Sequence, residues 1–148
     1  MTTDHAPISG QCLCGAVTVV VEGHDPRVGA CHCRMCQRWS GGLFLCFDAP
    51  ADGVTITGPV TRYASSAFAE RAFCATCGAH IWMRDTTLND DTYDLMPGLF
   101  DAAQGWPMRS EIYTDKAFAS VRLAGDHKRA SRAEYEQMNP HVDEGDGQ

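Results

Sequence analysis

Short runs of β-branched and aromatic residues, broken by polar turns, set the pattern along most of this chain. Residues 16–22, Ala-Val-Thr-Val-Val-Val-Glu, predict a strand because β-branched side chains fit a pleated, half-buried surface. Positions 43–47 predict a second strand. Val-Thr-Ile-Thr at 54–57 predicts a third, and Gly58-Pro59 predicts a turn that brings 60–64 back beside it. Further strands are predicted at 68–73, 79–83 and 92–96, with a polar hairpin loop at 85–91. Helix is scarce. One or two turns are predicted at 35–40, and Ser131-Arg-Ala-Glu134 has capping-box form, which predicts a helix running to about Met138. The pattern predicts a mainly β fold with short helices. It expects a flexible segment at 1–9, a single domain over 10–138 and a disordered acidic tail at 139–148.

Composition narrows the function classes. The 148 residues are 44% hydrophobic, enough for a core that does not depend on cysteines alone. The formal charge is -7, from 19 acidic and 12 basic residues, the wrong sign for general binding to nucleic acid or to an anionic membrane. No apolar run approaches the ~20 residues that span a bilayer, and the N-terminus lacks the basic start and apolar stretch of a signal peptide. A cytoplasmic protein with no nucleic-acid or membrane partner is expected. Thiols stay reduced there, so cysteines point to metal rather than to disulfides.

Seven of the eight cysteines fall into three tight groups: Cys12-Leu-Cys14-Gly15, Cys31-His32-Cys33-Arg34-Met35-Cys36 and Cys74-Ala-Thr-Cys77-Gly78. In extended backbone, residues two apart share a face, so Cys12 and Cys14 can present two sulfurs together. Cys74-x-x-Cys77-Gly resembles a zinc knuckle, with Gly78 free to take the positive φ of a tight turn. Two such pairs complete a four-sulfur site of the closed, structural kind. The central group offers three thiolates, the count of a catalytic zinc that keeps one position open. Other pairings, or a fourth ligand from Cys46 or a distant histidine, satisfy the same count, and thiolate-rich sites also suit iron. Cys46, in an apolar run, reads as a small buried hydrophobe. His32 points away from its neighbours in extended chain and reads as a hydrogen-bonding or pocket-wall residue. His80 reads as structural, while His127 has no recognisable context.

Cys12-x-Cys14-Gly15, Cys31-His32-Cys33-x-x-Cys36-x-Arg38-x-Ser40-Gly41, and Ser65-Ser66 ahead of Arg71-x-Phe73-Cys74-x-x-Cys77-Gly78 together resemble the family of glutathione-dependent formaldehyde-activating enzymes. Gly98-Leu99-Phe100-Asp101 and Glu111-Ile112-Tyr113 are similar to that family's C-terminal part. The resemblance implies an Mss4-like, mainly antiparallel β-sheet domain with two zinc ions. It assigns Cys12, Cys14, Cys74 and Cys77 to a structural zinc. It assigns Cys31, Cys33 and Cys36 to a labile, catalytic one. The implied activity is that of a carbon–sulfur lyase on a small thiol–carbonyl adduct such as S-hydroxymethylglutathione, with glutathione as the thiol. Arg38, beside the open site, is the expected contact for a substrate carboxylate, and Arg34 and Arg71 are further candidates. Two positions depart from the family: Gln37 where a basic residue often stands, and Phe118 in place of a tryptophan. The competing readings are a zinc-stabilised scaffold without catalysis and a thiol redox or metal-handling protein.

Overall fold

The computed structural model describes residues 6–88 and 91–143. The chain divides into two compact units. The first comprises Met1–Pro26 and Cys46–Trp106, and the second Arg27–Leu45 and Pro107–Gln148. No helix among the described residues is long and apolar enough to cross a membrane.

The first unit is built from antiparallel strands. β1 (Ile8–Gln11), β2 (Thr18–Val21) and β5 (Val54–Thr57) form a three-stranded sheet in the order β1-β2-β5. β4 (Phe44–Pro50), β9 (Thr92–Leu95), β8 (His80–Asp85), β7 (Ala69–Cys74) and β6 (Val60–Ala64) lie side by side in that order, β6 to β9 as a meander. The part of β4 that pairs with β9, Phe47 to Pro50, belongs to this unit. Alternation decides which side chains enter the core: in β2, Val19 and Val21 are buried while Thr18 and Val20 face out. These valines, with Val17, Ile81, Leu95 and Phe100, surround Phe47, whose ring meets Phe100 edge-on at 5.3 Å and Trp106 at 4.9 Å.

The strands at 54–57 and 60–64 exist as expected but do not pair with each other. β5 lies beside β2, with Val21 opposite Val54 and Val19 opposite Ile56, while β6 lies beside β7. The Gly58-Pro59 turn is a corner between two sheets rather than a hairpin. β1 begins at Ile8, inside the stretch expected to be flexible, and residues 1–5 lie outside the described residues. So do residues 89–90 of the predicted hairpin loop.

The second unit is organised differently. β3 (Val28–Cys31) and β11 (Lys128–Ala130) both pair in parallel with β10 (Met108–Ile112). Helix α1 (Arg34–Ser40) follows β3 and α2 (Arg132–Met138) follows β11. The chain after α2 makes a turn, with Val142 N–H donating to Asn139 O, and residues 144–148 of the expected tail lie outside the described residues.

Candidate metal centres

Two β-hairpins of the first unit carry cysteines in their turns. Between β1 and β2, Cys12 N–H donates to Val17 O and Gly15 N–H returns to Cys12 O. Between β7 and β8, Cys74 N–H donates to Ala79 O and Gly78 N–H returns to Cys74 O. Gly15 and Gly78 both have φ of 80°, a conformation that glycine adopts without strain. The first pair was expected in extended backbone. A turn delivers the two sulfurs instead, because the same hydrogen-bond frame serves both hairpins.

The sulfurs of Cys12, Cys14, Cys74 and Cys77 lie within 4.8 Å of one another. Cys12 Sγ is 3.6 Å from Cys14 Sγ, which is 3.8 Å from Cys74 Sγ. A tetrahedron with zinc–sulfur bonds of ~2.3 Å has an edge of ~3.8 Å, whereas a disulfide needs ~2.05 Å. All eight cysteines are free. Backbone N–H groups converge on the sulfurs, Val17 on Cys12 at 3.3 Å and Thr76 and Cys77 on Cys74 at 3.3 and 3.4 Å. Such donors stabilise thiolate over thiol. Burial opposes ionisation of Cys12, but the Val17 N–H and the neighbouring sulfurs outweigh it and bring the pKa down to about 6. Cys77 is lowered too, chiefly by the Ala79 N–H. At Cys14 the Ala16 N–H lowers the pKa, but burial and the sulfurs around it push it up to about 11. Four sulfurs, a tetrahedral edge and converging N–H donors fit a closed metal site.

Cys31, Cys33 and Cys36 also lie within 4.8 Å of one another, in the second unit. Cys31 ends β3, and the chain stays extended through Cys33, which caps α1 by accepting from Cys36 N–H at 3.3 Å. Cys33 and Cys36 therefore stand one turn apart on one face. The helix ends at Gly41, φ 87°, whose N–H returns to Gln37 O. Gln37, the departure from the family pattern, is buried and donates to Lys116 O at 2.9 Å while accepting from Arg34 at 2.6 Å. The contacts with Cys33 and Cys36, then burial, hold the Cys31 thiol well above its ordinary pKa. For Cys33 the Cys31 contact lowers the pKa, but Cys36 and burial push it up to about 11. Cys31 and Cys33, whose protons are held by the crowding of three sulfurs, fit a site whose missing component is a cation.

Cys46 is half-buried and joins neither group, and among the described residues no histidine joins the three sulfurs. Arg38 is exposed in the last turn of α1. Arg71 is buried in the first unit, where its Nε donates to Ser65 Oγ at 3.2 Å, and burial followed by its charge lowers the pKa of His80. His32 turns away from the sulfurs and meets Glu111 Oε1 at 2.8 Å. Sequence reasoning gave Glu111 and His127 no role. They lie 16 residues apart, and Glu111 lies 79 from His32, with no spacing rule to connect them.

The arrangement defines a class: a mainly β protein with two cysteine sites, one of four sulfurs and one of three, each able to hold a metal ion. A family model described as glutathione-dependent formaldehyde-activating enzyme matches residues 7–116, and the chain belongs to that family. A Schizosaccharomyces pombe protein named as an uncharacterized lyase is 30% identical over 107 residues, covering 72% of this chain and 77% of that one. A crystal structure of a Rhodobacter sphaeroides protein shares the fold, with a TM-score of 0.55 at 20% identity over 82% of this chain and 99% of that chain.

Proposed function

We propose that this protein is a zinc-dependent carbon–sulfur lyase that acts at Cys31, Cys33 and Cys36 on a small thiol–carbonyl adduct such as S-hydroxymethylglutathione. Family membership and the lyase name of the Schizosaccharomyces pombe relative support the reading. The observation that carries it is the count at the second site, three sulfurs with no fourth protein ligand among the described residues. In the cleavage direction the carbon–sulfur bond breaks, the hydroxyl carbon becomes a carbonyl, and the hydroxyl proton passes to the departing sulfur. A zinc ion bound there supplies positive charge that favours thiolate and polarises oxygen. The three cysteines hold that charge in place, and the backbone from β3 into α1 fixes their spacing. Arg38, exposed on the same helix, is the proposed contact for a carboxylate of the thiol partner. Zinc at the four-sulfur site has a structural role.

A fourth protein ligand at the second site would favour the scaffold reading. The redox reading requires loss of zinc with disulfide formation under mild oxidant. Native mass spectrometry of the purified protein is expected to count two zinc ions in the wild type and one in Cys33→Ser. Titration calorimetry with glutathione is expected to give binding that weakens on Arg38→Ala. Absence of heat with fully metallated protein would remove glutathione from the account, and one zinc in the wild type would remove the catalytic site.

A further inference from the structure

The second unit buries an ionic array that the proposed chemistry does not use. Glu111, on β10, has a side chain 8% exposed. Its Oε1 meets His32 Nε2 at 2.8 Å, and its Oε2 meets both His127 Nε2 and Arg129 Nε, the latter at 3.2 Å. The two imidazoles, 3% and 2% exposed, are effectively cut off from water. Burial opposes ionisation of Glu111, but the bonds from His127 and His32 outweigh it and hold the carboxyl below its ordinary pKa. An ionised carboxylate only accepts hydrogen bonds, so both rings present an Nε2–H to it.

Each end of this array has a distinct destination. His32 sits between Cys31 and Cys33, and β10 runs beside β3 with Glu111 opposite Ala30 and Ile112 opposite Cys31. The carboxylate thereby fixes the one side chain that separates two sulfurs of the cluster. His127 and Arg129 come from beyond residue 116, where the family match ends. Arg129 also donates to the carbonyls of Leu123 at 3.1 Å and Gly125 at 3.0 Å, binding the loop ahead of β11 to the same point. A second attachment lies two residues along β10's path. Tyr113, 1% exposed with φ of 57°, donates from its hydroxyl to Glu136 of α2 at 2.7 Å. The segment after residue 116 thus grips the chain on either side of Ile112, the residue paired with Cys31.

We propose that the segment beyond residue 116 is a clamp on the three-cysteine site, and that Glu111 is the positioning residue through which it sets how tightly and in what geometry that site holds its metal. The proposal rests on the reading of Cys31, Cys33 and Cys36 as a metal site. Losing Glu111 or His127 leaves buried donors without an acceptor, or a buried carboxylate short of a donor, and the backbone of Cys31-His32-Cys33 shifts to relieve it. Outer partners of metal sites typically act on affinity by about 10–100-fold.

The test uses full-length protein loaded with cobalt(II) or zinc and titrated with a chromophoric chelator. Cys33→Ser identifies which transition belongs to the three-cysteine site. His127→Ala and Glu111→Gln are expected to loosen that ion by about 10–100-fold, to alter its cobalt ligand-field bands, and to leave the four-sulfur ion unchanged. His127→Gln, which keeps an N–H donor, is expected to recover most of the affinity. An unchanged second ion in folded His127→Ala overturns the proposal. Equal loosening of both ions, with His127→Gln no better, also overturns it, because the array is then a general prop. A wild type that takes up only one ion defeats the metal reading itself and is recognised before any variant is made.

Discussion

A methyl group at position 58 would lie 2.1 Å from the Ala16 carbonyl oxygen and 2.9 Å from Val17 Cα, on backbone with φ of 118°. The next residue, Pro59, accepts from Ala75 N–H at 2.9 Å. The corner at 58–59 therefore touches the turn of each cysteine-bearing hairpin, and its closeness to both requires glycine. Gly58→Ala is expected to cost about 1–3 kcal/mol in backbone strain, besides the displaced carbonyl. A lowered Tm, with the four-sulfur ion yielding to weaker chelator, is the measurement. Protonation separates the two sites at the same scale. Cys12 and Cys77 lean towards thiolate although Cys14 beside them does not, whereas Cys31 and Cys33 both hold their protons. Each thiol that must release a proton to bind metal makes affinity fall about tenfold per pH unit lost. Acid titration with a zinc indicator is expected to show a first release that Cys33→Ser lacks. The three cysteine groups were legible in the sequence because short spacing brings the sulfurs within each group together, but the joining of Cys12 and Cys14 to Cys74 and Cys77 is the work of two hairpins. The partnership of Glu111 with His32 and His127 was not legible, because only strand pairing creates it.

Elements with a strong local signal formed where the sequence placed them. The capping box at Ser131 is complete: Ser131 Oγ accepts from Glu134 N–H and Glu134 accepts from Ser131 N–H. β2 and β5 follow their β-branched runs. The strands that escaped notice are Ile-Ser-Gly-Gln, Val-Gly-Ala-Cys, Met-Arg-Ser-Glu-Ile and Lys-Arg-Ala. None carries a run of β-branched residues, and three of them lie in the second unit, where parallel pairing to distant segments supplies what propensity does not. That contrast makes α2 the element to test. Ser131→Ala is expected to cost about 1 kcal/mol. Faster amide exchange in α2, spreading to Tyr113 through the Glu136 bond, would be its signature.

At the scale of the molecule, each unit holds one cysteine site, and neither unit is a continuous stretch of chain. A metal ion bound at either site would contribute folding free energy to the unit that holds it. Cys74→Ser is expected to lose exchange protection in the β1–β2 and β7–β8 hairpins and to reduce solubility. Cys33→Ser is expected to keep those hairpins protected and to loosen β3 and α1. Equal collapse of both variants would contradict the assignment of one site to each unit.

The interleaving has a consequence for how the protein is made. His32 leaves the ribosome 79 residues ahead of Glu111, a wait of roughly 4–16 s at ordinary rates of translation. For that interval the neighbouring thiols have neither β10 nor anything after it to brace them. The first unit's hairpins can bring their four sulfurs together while synthesis continues, but the three-cysteine site is braced only once β10, β11 and α2 have emerged.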